Sequence, residues 1–112
     1  PELARLMVLQ GADIFVFPAA FNTVTGPAHW ELLLRARAVD NQVYVAGAAP
    51  ARSRHRRYET YGHSAVVDPW GRVIASAGAG ETVLYADLDL DLVRDVRRKL
   101  PLLANRRADI YG

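Results

Sequence analysis

Phe17-Pro18-Ala19-Ala20-Phe21-Asn22-Thr23-Val24-Thr25-Gly26-Pro27-Ala28-His29-Trp30-Glu31 is the stretch whose reading decides the fold. Just before it, Gly11-Ala12-Asp13 gives way to a continuous apolar run, Ile14-Phe15-Val16-Phe17. A short run of that kind reads as a strand buried on both faces. Pro18 ends it, because proline has no N–H to give to a ladder. Thr23, Thr25, Gly26 and Pro27 punctuate the chain. Thr25 or Gly26 suits a helix cap, with Pro27 in the first turn. From Ala28 to Asp40, Leu, Ala, Arg and Glu dominate and favour helix. Trp30, Leu33, Leu34 and Arg37 then share one face. A loop that leaves a buried strand and enters a helix N-terminus is where α/β proteins place ligands. The same residues also suit a purely structural βα corner.

Outward from this stretch the pattern continues on both sides. Leu3, Leu6, Met7 and Leu9 form an apolar stripe that predicts a helix stopped by Gly11. Val43 to Ala49 predicts a second buried strand, so strand, helix and strand make a right-handed βαβ crossover. From Gly62 the regime becomes antiparallel. Ser64–Val67 and Val73–Ala77 are predicted strands. Between them Asp68-Pro69-Trp70-Gly71 has the residues of a tight turn in their proper places. Thr82–Leu88 is predicted as a further strand. Asp89 caps a last helix with Leu92, Val93, Val96 and Leu100 on one face. Its end carries Arg97, Arg98 and Lys99, where the macrodipole favours cations. The tail Leu102–Gly112 has no strong period and must dock on its own domain or on a partner. The fold class is thus α/β, a mixed sheet with helices on one face. One bare sheet face requires a second sheet, so the chain reads as a piece of something longer, incomplete as a stand-alone domain.

Composition excludes several classes. The 112 residues allow one domain or less. Half are apolar and about a quarter charged, which is globular rather than disordered. A net charge of +2 gives no argument for nucleic acid. The basic segment Arg52-Ser53-Arg54-His55-Arg56-Arg57 reads as a solvated loop. No apolar run approaches the roughly 20 residues of a membrane span. Cysteine is absent, so the chain offers no disulfide, thiolate metal site or cysteine nucleophile, and a cytoplasmic setting is expected.

Local chemistry is sparse. His29, His55 and His63 match no metal-ligand spacing. His29 reads as a packed first-turn residue and His63 as a strand-edge one. Ser64 lies outside a nucleophile elbow. Asp87, Asp89 and Asp91 lack the calcium-loop spacing and read as capping and solvated groups. Glu31 and Arg35 have the favourable i,i+4 order. No metal, cofactor or catalytic constellation is expected from these residues.

The segments Pro18–Asn22, Thr25–Leu32, Arg35–Ala38 and Asn41–Val45 together resemble the carbon–nitrogen hydrolase (nitrilase) superfamily, within it the omega-amidase branch. Tyr61–Ser64, Asp68–Gly71, Leu100-Pro101 and Arg106–Tyr111 continue the resemblance in the family's order over essentially the whole chain. The resemblance implies an αββα sandwich, of which 1–112 is the C-terminal half. It also implies a homodimer and hydrolysis of non-peptide C–N bonds by a Glu-Lys-Cys triad. Pro1-Glu2-Leu3 match the end of the family's nucleophile motif, so all three triad residues are expected upstream and none is catalytic here. On the loop facing the nucleophile, an aromatic and a threonine fall on Phe21 and Thr25, which become the expected substrate-binding residues. Omega-amidase substrates are monoamides of short dicarboxylates, such as 2-oxoglutaramate. Asn22 and Val39–Gln42 favour that branch. Tyr61–Ser64 and Ile110–Gly112 leave a deaminated-glutathione amidase as an alternative. A non-catalytic interaction module is the alternative outside enzymes.

Overall fold

Two short apolar strands pair in parallel, as the sequence predicts. In the computed structural model, which describes residues 1–53 and 57–112, β1 (Ile14–Pro18) runs beside β2 (Tyr44–Ala48). The register places Ile14 opposite Tyr44 and Pro18 opposite Ala48. α1 (Glu2–Leu9) precedes β1, and α2 (Glu31–Asn41) links the two strands. β3 (Ala65–Val67) and β4 (Val73–Ser76) add antiparallel, giving the sheet order β1-β2-β3-β4. α3 (Leu90–Lys99) and the short α4 (Ala108–Tyr111) follow.

Alternation along the strands sorts side chains onto two faces. Phe15, Val45, Ala65 and Val67 lie on one face and are buried. Ala4 and Val8 of α1, with Trp30, Leu34 and Ala38, close over them as the core. Gly47 belongs to this face, and a Cβ there would lie 2.6 Å from Leu34 Cδ1 and 2.7 Å from Trp30 Cζ2. The opposite face is largely open: Val16, in the centre of β1, is 64% exposed. Tyr44 at its lower end is covered, because its hydroxyl donates to Asp89 O at 3.1 Å and accepts from Asp89 N at 3.2 Å. α3 is further tied to the sheet by Arg97, whose Nη1 meets Asp13 Oδ1 at 2.7 Å. Gln42 Nε2 donates to Leu100 O at 2.6 Å just beyond the helix.

The turn chemistry holds in detail. Gly71 N–H donates to Asp68 O at 2.9 Å, and Asp68 Oδ1 accepts from Trp70 N and Arg72 N, each at 2.9 Å. Asp89 caps α3 by accepting from Asp91 N at 2.9 Å. α1 ends in a Schellman motif, with Gly11 at φ +98°, Gly11 N–H on Val8 O and Ala12 N–H on Met7 O. The tail docks on its own domain through Leu103, which packs against the core.

Four expectations are corrected. Thr82–Leu88 is an irregular, largely solvent-facing segment rather than a strand: β4 ends the sheet, and Tyr85 is 86% exposed. Its apolar run, Val83 to Ala86, calls for a sheet neighbour that the described residues do not supply. The stripe of α1 that packs is Ala4 and Val8, whose small side chains allow close approach to α2, while Leu3, Leu6 and Leu9 face outward. On α3, Val93 and Val96 are buried but Leu100 is exposed. Finally, the helix predicted from Ala28 begins earlier as a π-turn over Gly26–Trp30, and neither Thr25 nor Gly26 caps it through a side chain. Arg54, His55 and Arg56 of the predicted basic loop lie outside the described residues.

Candidate functional site

The loop between β1 and α2 is built around Asn22. Its Oδ1 accepts from Val24 N at 2.9 Å, Thr25 N at 2.7 Å and Thr25 Oγ1 at 2.9 Å. This Asx turn is why no helix cap is needed from Thr25: its hydroxyl already serves Asn22. Gly26 N–H donates to Asn22 O at 2.8 Å and closes the loop onto the π-turn. A π-turn at this corner widens the helix entrance, a distortion found often at functional sites. Pro27 fits within it because its missing N–H is an orphan position anyway.

Phe21 and Thr25 stand on this one loop but face different surroundings. The Phe21 ring lies against Trp30, with centroids 5.2 Å apart and planes at 57°. Phe21, Phe17 and Ala19 form one wall of a cavity of about 190 Å³. The other wall is Trp30, Leu33, Leu34 and Arg37, the face read from the helical spacing. Thr25 is half-buried and lies outside this cavity. Arg37, the cavity's one charged group, has its Nη1 3.7 Å from Asp40 Oδ2. Glu31 and Arg35 form the expected pair at 3.7 Å, and Arg35 Nε also reaches Gly71 O at 2.8 Å. His29 is exposed rather than packed, since the π-turn rotates it away from the core. Among the described residues, no group of three or more His, Cys, Asp or Glu could hold a metal ion. Nor is any helix among them long and apolar enough to cross a membrane.

Residues 1–98 match the family model described as carbon-nitrogen hydrolase. The chain belongs to the carbon–nitrogen hydrolase family. It is 56% identical over 110 residues to the omega-amidase NIT2 of Mus musculus, covering 98% of this chain and 40% of that protein. The omega-amidase NIT3 of Saccharomyces cerevisiae is 53% identical over 112 residues, or 100% of this chain and 38% of the relative. The crystal structure of yeast Nit3, a member of branch 10 of the nitrilase superfamily, superposes with a TM-score of 0.91 at 53% identity. That match covers 96% of this chain and 40% of Nit3. The C. elegans NitFhit protein gives 0.94 at 44% identity, over 100% of this chain and 27% of its own. The chain therefore spans about 40% of the length of these omega-amidase relatives.

Within this carbon–nitrogen hydrolase chain, sequence reasoning locates the loop but misses what lies beneath it. His63 is not a strand-edge residue. It precedes β3 with a left-handed backbone, φ +64°, and its ring stacks on Tyr61 at 3.8 Å. The signal available in the sequence is Gly62, whose own φ of +75° marks a reversal of the chain there.

Proposed function

We propose that this chain is the C-terminal part of an omega-amidase that hydrolyses monoamides of small dicarboxylates through a cysteine thioester. The observation that carries the reading is identity above 50% to proteins named omega-amidase, running the length of this chain. In this mechanism a thiolate attacks the amide carbonyl, a glutamate moves protons, and a lysine ammonium stabilises the oxyanion. Ammonia leaves, and water hydrolyses the thioester to the acid. The three triad groups come from residues outside these 112.

This chain contributes the loop that meets the substrate. Phe21 packs against the short carbon chain, supported from behind by Trp30. Thr25 donates a hydrogen bond to the terminal carboxylate by turning its hydroxyl from Asn22. The exchange is inexpensive, because Asn22 Oδ1 keeps the amides of Val24 and Thr25. The working protein is cytoplasmic, and it is a homodimer, the latter reading supported by the outward leucines of α1, with Leu3 70% exposed.

Steady-state kinetics of the complete protein test the loop. Losing a hydrogen bond to a charged group costs about 1.5–3 kcal/mol, roughly ten- to a hundred-fold in kcat/KM. Thr25→Val should therefore impair 2-oxoglutaramate far more than an uncharged short amide, while Phe21→Ala impairs both. Equal losses on both substrates for Thr25→Val would remove the contact assigned to it. Faster turnover of deaminated glutathione than of 2-oxoglutaramate would move the assignment to that amidase.

A further inference from the structure

Two passages of chain meet beneath Phe21. Asn22 bridges to Thr60, and Tyr61 N–H donates to Phe21 O at 2.8 Å. The Tyr61 ring lies so close over Gly26 that a Cβ there would overlap it. His63 stacks on this ring with centroids 3.8 Å apart and planes at 12°. Its Nδ1 lies 2.7 Å from Tyr61 O. A carbonyl only accepts, so Nδ1 carries the proton and donates. The backbone of the same residue works in two directions: His63 O accepts from Trp30 Nε1 at 2.7 Å, and His63 N–H donates to Gly78 O at 3.0 Å. Trp30 is the ring that backs Phe21.

His63 holds all this from the left-handed region, φ +64°. That conformation disfavours any residue with a Cβ and suits glycine. Backbone geometry alone would select glycine here, as it does at the preceding Gly62. The imidazole is therefore the feature the strained position carries, and the two groups it touches are the ring and the carbonyl of Tyr61.

We infer that His63 is a positioning residue for the substrate loop. Its ring holds Tyr61 over Gly26, and Tyr61 N–H in turn fixes the carbonyl of Phe21. Its carbonyl holds the Trp30 indole behind the Phe21 ring. His63 does not touch substrate; it sets the rotamer of Phe21 and the path of the loop to Thr25. The kinetic part of this inference rests on the proposed role of Phe21 and Thr25, whereas the conformational part does not.

His63→Gly in the complete protein is the test. Glycine accepts the backbone and keeps the Trp30 bond, so the variant is expected to fold with an unchanged Tm. It loses the stack and the Nδ1 bond. Hydrogen exchange should then quicken at Tyr61 N–H and Gly26 N–H, with the amides of β1 and β2 unaffected. The KM for 2-oxoglutaramate should rise about ten-fold with kcat little changed, as for a misplaced binding group. His63→Asn, which tolerates the same backbone and offers an amide donor to Tyr61 O, should fall between. Unchanged exchange in the loop overturns the inference. So does a uniform loss of protection with a lowered Tm, since that describes a merely structural residue. Faster loop exchange with unaltered kinetics supports the positioning of the loop and counts instead against Phe21 and Thr25 as substrate contacts.

Discussion

Tyr44 shows how much one residue links. It sits in β2, is buried, and exchanges two hydrogen bonds with the backbone of Asp89 at the entrance to α3. Burial raises its pKa above the ordinary 10.0, with the Asp89 N–H that donates to the phenol oxygen acting the other way. The folded chain thus favours the neutral phenol. The stability this contributes is complete below the ordinary tyrosine pKa and is lost as pH rises through the raised folded value. Tyr44→Phe should lower stability near pH 7 by about 0.5–1.5 kcal/mol, from the lost hydrogen bonds. Chemical denaturation between pH 8 and 11 should show the gap between wild type and variant narrowing above pH ~10. A gap that stays constant to pH 11 would contradict the linkage. Residues of this kind differ in how visible they are beforehand. Asp68 and Asp89 are legible because turn and cap chemistry is local, set by neighbours two to four positions away. Phe21 is legible as a loop residue for the same reason. The left-handed backbone of His63 is only hinted at by the neighbouring Gly62, because its carbonyl and N–H are held by Trp30 and Gly78 from elsewhere in the chain.

At the scale of elements, the helices teach that an apolar stripe says what is hidden but not from what. Leu3, Leu6 and Leu9 read as a core face, yet the core takes Ala4 and Val8. The small residues let α1 approach, and Leu6 and Leu9 turn outward to line a groove shared with Leu102 and Tyr111. In the proposed homodimer these leucines are the contact. Leu6→Glu should then shift the complete protein from dimer to monomer in sedimentation analysis, by placing a charge at the centre of an apolar interface. An undisturbed dimer would move the interface elsewhere. The strand predicted at Thr82–Leu88 has the same origin as the misread stripe. Its apolar run, Val83 to Ala86, is real, yet Val83 and Tyr85 both stay exposed. Pattern reading cannot say whether a pairing partner lies within the same 112 residues. By contrast, β1, β2 and the β3–β4 hairpin were legible because their partners are each other.

Taken whole, the molecule has one finished face and one unfinished one. The finished face carries the core between the sheet and α1 with α2. On the other, Val16 and the outward side of β1 remain in solvent. Exposed apolar surface of this kind favours association or a loosely packed state. The 112-residue chain prepared alone should therefore bind the dye ANS strongly and self-associate, and Val16→Glu should reduce both. Weak dye binding by a well-protected monomer would show that the sheet tolerates its open side. No amide hydrolysis is expected from this preparation, since it contains no cysteine.

The two glycines that receive rings have a consequence for inheritance. Gly26 admits Tyr61, and Gly47 admits Trp30 and Leu34, each at distances that leave no room for a methyl group. Neither member of such a pair is free to drift alone. A lineage that gained alanine at 26 would have to lose bulk at 61 in nearly the same step, and the brace beneath the loop would go with it. The loop's shape is thus transmitted as matched hollows and rings in distant parts of the chain, and divergence should stall at both members together.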